Sequence, residues 1–246
     1  MNFLLHRHLG TRDLGSPAAG VGAMLPDLWG MADRRVRPVH GASSEGTSRP
    51  LGELLAGIEH HLVADRWFHT DAVFKDGERE AAVRLREAKL SARHSAMFAH
   101  MLWELCLDGE LVRRDRNGRI LAELRLGMRD AESALDESVD LHHFGRVART
   151  LAERETFSGR LRRICDELVR GPWIEGYQSG AGIAMRVQGV RTRVGLLAMS
   201  AADEARLAAV AGGLLGLAVD AVDRIVATPS FALPVRVMIA SDRERQ

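Results

Sequence analysis

The chain has little of several residue types, and each shortage excludes something. Its 246 residues include only 2 cysteines, Cys106 and Cys165, far apart within helical patterns. No disulfide framework follows from such a pair, so buried free thiols and a reducing compartment are expected. Lysine is almost missing: Lys75 and Lys89 are the only two, and arginine makes up the rest of the 34 basic residues. Against 33 acidic residues the formal charge is +1, so no overall basicity argues for nucleic acid. Long apolar runs are also lacking. The longest, Leu207 to Val219, is too short to span a bilayer and is interrupted by Gly212, Gly213 and Gly216. Near the start, His6, Arg7 and His8 break any run of the signal-peptide type. Together these shortages predict a soluble, cytoplasmic protein that spans no membrane.

What is present is ordinary globular material, 46% hydrophobic and 27% charged, enough to bury a sizeable core. The pattern predicts an all-α, multi-helix bundle, with one domain over 1–228 and a C-terminal tail or short strand over 229–246. An apolar helix is expected over 15–31, with Pro17 in its first turn. A loop rich in turn-forming residues follows over 33–50, predicted to be exposed and mobile. From Leu51 to about Phe74 the residues Leu54, Leu55, Ile58, Leu62, Trp67 and Phe68 form a helical stripe. Asp76-Gly77 reads as a turn. Helices are expected over about 91–111, 141–154, 157–169, 173–196 and 201–227, with Ser158 and Ser200 as caps, and an amphipathic stretch from 119 to about 138. The apolar helix over 205–226 either packs internally or forms the seam of a homodimer. Periodicity does not choose between these.

Chemistry concentrates in the first hundred residues. His61, Asp65 and His69 recur every fourth residue inside an apolar helical pattern. Imidazole and carboxylate are usual protein ligands of a hydrolytic divalent metal, and a spacing of four puts neighbours on one helix face. His61 and Asp65 lie about 6 Å apart along the axis, which suits one shared ion. His69 is about 12 Å from His61 along the axis and rotated by about 80°, so all three do not bind one ion on a straight helix. His6 and His8 diverge by about 200° in a helix, which leaves His6 as the inward one and His8 as a supporting or phosphate-contacting group. Asp27, at the end of an apolar run, is either a helix cap or a ligand. His100 and Glu104 form another spacing-of-four pair. His142 and His143 read as the exposed start of a helix.

Several of these segments, taken in order, resemble one family. The opening Met1-Asn2-Phe3-Leu4-x-His6-x-His8-Leu9 is similar to the start of the acyl-carrier-protein phosphodiesterases. Gly22-Ala23-Met24-Leu25-Pro26-Asp27-Leu28-Trp29-Gly30 resembles a later element of that family, and so does Gly57-Ile58-x-x-His61-x-x-x-Asp65. The resemblance covers about two thirds of the chain. It implies an all-helical fold related to the HD-type metal phosphohydrolases, and a divalent ion, Mn²⁺ or Mg²⁺, held by His6, Asp27, His61 and Asp65. His69, His100 and His8 would then bind phosphate or protonate the leaving oxygen, with Arg66 and Arg7 clamping phosphate oxygens. The implied reaction is release of 4′-phosphopantetheine from acyl carrier protein. The alternatives are a nucleotide or other small phosphoester as substrate, or a non-catalytic helical protein that binds a partner on this scaffold. The chain departs from the family pattern at Leu62, His69, His100 and Leu105, where an arginine, two acids and a histidine would stand.

Overall fold

The computed structural model describes residues 3–33, 35–38, 46–90, 95–142, 150–193 and 195–231. Residues 34 and 39–45 of the expected 33–50 loop, residues 232–246 of the expected tail, and His143 lie outside those residues. Everything described is helix, turn or irregular segment, and no strand occurs among the described residues. The all-α expectation holds.

Two compact units are formed, each from separated stretches of chain. The first contains Phe3–Trp67, 118–170 and 229–246. Its helices are α1 (Phe3–Leu14), α2 (Pro17–Ala32), most of α3 (Arg49–Phe68), α6 (Arg119–Ala131), α7 (Leu135–His142) and α8 (Leu151–Arg170). A 3₁₀ turn, Glu132–Ala134, links α6 to α7. α2 is the buried centre of this unit, packed against α1, α6 and α8. Ser16 caps it by accepting a hydrogen bond from the Ala19 amide, and Pro17 follows where a missing N–H costs nothing. Almost every residue from Ala18 to Trp29 is then inside, which is why this segment reads as continuously apolar.

α3 crosses α2 at unusually short range. A Cβ on Gly57 would stand 2.0 Å from the carbonyl oxygen of Ala19, and one on Gly22 would stand 2.2 Å from that of Leu54. Only two glycines facing each other allow this approach. It brings the α3 stripe of Leu54, Ile58 and His61 onto α2, with all three side chains buried.

The second unit contains 68–117 and 171–228: α4 (Ala72–Glu87), α5 (Ser95–Arg114), the short α9 (Trp173–Gly176), α10 (Gly180–Arg193) and α11 (Ala201–Val226). α5 runs through its centre, against α4, α10 and α11. Ser200 caps α11 through the Asp203 amide, as its position in the sequence predicts. By length and composition α11 is apolar enough to cross a membrane. Its inner face, with Leu207, Leu214, Leu215 and Ile225, packs inside this unit.

Some expectations need correction. Asp76-Gly77 is not a turn but lies within α4; the chain turns instead at His69-Thr70. Gly77 is there because the Trp103 ring lies where its Cβ would be, at 2.0 Å. Ser158 sits inside α8, which runs unbroken through the expected gap at 155–156. The expected helix over 173–196 divides into α9 and α10 around the turn at 177–179. Both cysteines are buried free thiols, and burial pushes the Cys165 thiol up to about 12.

Candidate metal centre

His6, His61 and Asp65 each offer a ligand atom, and these atoms lie within 4.8 Å of one another. His6 comes from α1 and the other two from consecutive turns of α3. His6 and His61 are buried, Asp65 half-buried, and the two imidazole rings sit 4.1 Å apart at 40°.

The orientation of His61 is fixed from behind. Its Nδ1 lies 2.8 Å from the carbonyl oxygen of Ala23 on α2. A carbonyl only accepts, so Nδ1 carries the proton and Nε2 keeps its lone pair. That is the tautomer a metal-ligating histidine uses, with the outer nitrogen held by a backbone carbonyl.

The other expected site residues fall into separate places. Asp27 lies inside α2, so the capping alternative fails. It stands one turn beyond Ala23 on the same face of α2, outside the set of three whose atoms fall within 4.8 Å. α1 is helical, so His8 points away from His6, toward Arg12, Arg7 and Glu123. Burial first, and then the neighbouring Arg12 and Arg7, lower its pKa and keep it neutral. The Arg7 guanidinium is buried and directed to Glu123 of α6, 3.4 Å away, as a strut between helices. Arg66 is exposed on α3.

His69 and His100 meet in the second unit. Their rings stack at 5.1 Å and 6°, with the Phe74 edge against both. Nδ1 of His100 is 3.3 Å from Glu78 and its Nε2 is 3.3 Å from Glu104. Burial alone would lower the His100 pKa, but contact with Glu104 and the charge of Glu78 outweigh it and raise the value. Its stabilising contribution is therefore complete below pH about 6.5 and is lost as pH rises through the higher folded value. An NMR titration should give His100 a pKa above that of a free imidazole, and Glu104→Gln should bring it down.

One buried pair escapes a search for metal spacing. Asp13, at the end of α1, accepts from His60 Nε2 at 2.8 Å, from Arg12 Nε at 2.5 Å and from the Phe231 amide at 3.2 Å. The doublet His60-His61 in an apolar helix was the available signal: one ring faces Ala23, the other Asp13. Burial works to raise the Asp13 pKa, yet the hydrogen bonds from Arg12, His60 and Phe231 bring it down to about 2. Burial lowers the His60 pKa despite the carboxylate. Both folded values lie below the unfolded ones, so both contributions are present at neutral pH. The His60 part is lost as pH falls below about 6.5 and the Asp13 part between about 4 and 2. Acid unfolding should show that lower limb, and Asp13→Asn should flatten it.

No protein family, curated protein or solved structure matches the chain.

Two imidazoles and one carboxylate fit a divalent cation on the chemistry of the donors alone. Three protein ligands with the remaining positions open are the pattern of catalytic rather than structural metal sites. Asp27, one turn beyond the carbonyl that holds His61, is the nearest addition to that set along α2.

Proposed function

We propose that the protein is a divalent-cation-dependent hydrolase of phosphate esters. The single observation that carries this reading is the convergence of His6, His61 and Asp65, with the Ala23 carbonyl holding His61 in the ligating tautomer. A cation bound there would lower the pKa of a coordinated water toward neutrality and screen charge on phosphoryl oxygens. The residues of the chain supply the rest. His6 and His61 place neutral donors on one side, and Asp65 adds the negative charge that raises cation affinity. The buried setting strengthens each of these electrostatic terms. Two imidazoles suit Mn²⁺ better than Mg²⁺, which prefers an oxygen shell and keeps its waters.

The family resemblance of the opening and α3 motifs supports a phosphodiester, with the bond joining 4′-phosphopantetheine to acyl carrier protein as the named candidate. A small phosphoester is the second substrate reading, while the departures at Leu62 and Leu105 favour the other alternative, a non-catalytic helical protein that binds a partner on this scaffold. The purified protein with Mn²⁺ should hydrolyse bis-p-nitrophenyl phosphate, and a panel of holo-acyl carrier protein and cyclic nucleotides separates the two substrates. Absence of turnover on every member of the panel, with Mn²⁺ bound, contradicts the hydrolase reading.

A further inference from the structure

A cleft in the second unit has no part in the metal chemistry. It lies between the end of α4, α10 and the start of α11, under the 195–200 connection, with a volume of about 120 Å³. Leu85, Phe98, Val187, Met199 and Leu207 make its walls apolar. At about 10–15 Å³ for each water-sized group, this volume takes roughly eight to twelve heavy atoms.

One cation lines it. The Arg191 guanidinium lies 5.4 Å over the Phe98 ring and donates to the Leu197 carbonyl at 3.1 Å. Its Nε–H is buried with no acceptor, and no carboxylate pairs with it among the described residues. The one acid in the wall, Asp203, is already occupied: it accepts from the Ser200 hydroxyl at 2.9 Å and from Arg206. The lining is thus an apolar slot with one uncompensated positive charge. A buried N–H without a partner is costly, and an anionic acceptor would relieve that cost.

We propose that this cleft is a binding site for a medium-chain carboxylate: alkyl chain against Leu85, Val187 and Leu207, head group on the Arg191 guanidinium. A planar carboxylate suits the fork of arginine donors, whereas an ammonium head would meet like charge. The site stands independently of the metal centre and of the hydrolase reading.

Calorimetry on the full chain with octanoate and octylamine tests it. Octanoate should bind at one site and octylamine should not. Arg191→Gln should weaken octanoate by about tenfold, and Ala198→Trp, which plugs the rim from an exposed position, should abolish binding. Circular dichroism confirms that both variants are folded. No octanoate binding, equal binding of octylamine, or unchanged affinity in either folded variant overturns the proposal. Mn²⁺ binding measured on the same samples reports on the metal centre alone, so the two readings fail separately.

Discussion

Asp65→Ala should bind Mn²⁺ more weakly by at least about 100-fold and lose hydrolysis of bis-p-nitrophenyl phosphate, while its helical circular dichroism stays unchanged. Even an outer partner of a metal ligand contributes about 10–100-fold to affinity, and Asp65 is a direct donor in the proposed site. It is also the only carboxylate in the cluster, so its loss leaves two neutral imidazoles facing the cation. Because Asp65 is half-buried at the end of α3, truncation opens no large cavity and the fold should survive. His61→Ala should match it in metal affinity but cost more stability, since the Ala23 carbonyl loses its buried donor. Equal activity of Asp65→Ala and wild type would remove the residue from the site.

Gly57→Ala should be among the most damaging single-methyl additions in the chain, at about 3 kcal/mol, or roughly 10 °C in melting temperature. The added carbon would stand 2.0 Å from the Ala19 carbonyl, which is backbone and has no side-chain freedom with which to yield. α3 must then move off α2. His61 lies one turn beyond Gly57, so the same movement draws Nδ1 away from Ala23. Metal affinity should fall together with the melting temperature, although Gly57 touches no ligand. Gly159→Ala, on a part of α8 with open space around it, is the matched control: it should leave metal affinity unchanged and raise the melting temperature by about 2–4 °C through helix propensity. Thermal unfolding with and without Mn²⁺ reads both effects.

How much of this was legible in the sequence depends on where the information resides. Helices were readable wherever a stripe or a cap was local, as for α2 with Pro17 or α11 with Ser200. Gly77 misled because a glycine beside an aspartate reads as a turn, while the reason for it is a tryptophan ring from α5, remote in sequence. In the site, His61 and Asp65 announced themselves through a spacing of four. The same helical geometry argued that His69 could not share their ion, and the structure stacks it on His100. The arrival of His6 depended on the packing of α1, α2 and α3, which two glycines govern from positions that carry no chemistry. The Ala23 carbonyl was invisible, since any residue supplies a backbone acceptor. Arg7 was misjudged for a related reason: an arginine beside a ligand suggests phosphate, but on a helix the next residue points elsewhere, here to Glu123. Asp13 and His60 were overlooked because they are 47 residues apart in sequence and share no motif.

The central claim meets its most direct test in crystals soaked with Mn²⁺ and measured at a wavelength where manganese scatters anomalously. The account predicts one strong peak about 2.0–2.2 Å from His6, Asp65 and the Nε2 of His61, with Nδ1 still on the Ala23 carbonyl. A peak elsewhere with this cluster empty, or no peak at saturating Mn²⁺, would contradict it.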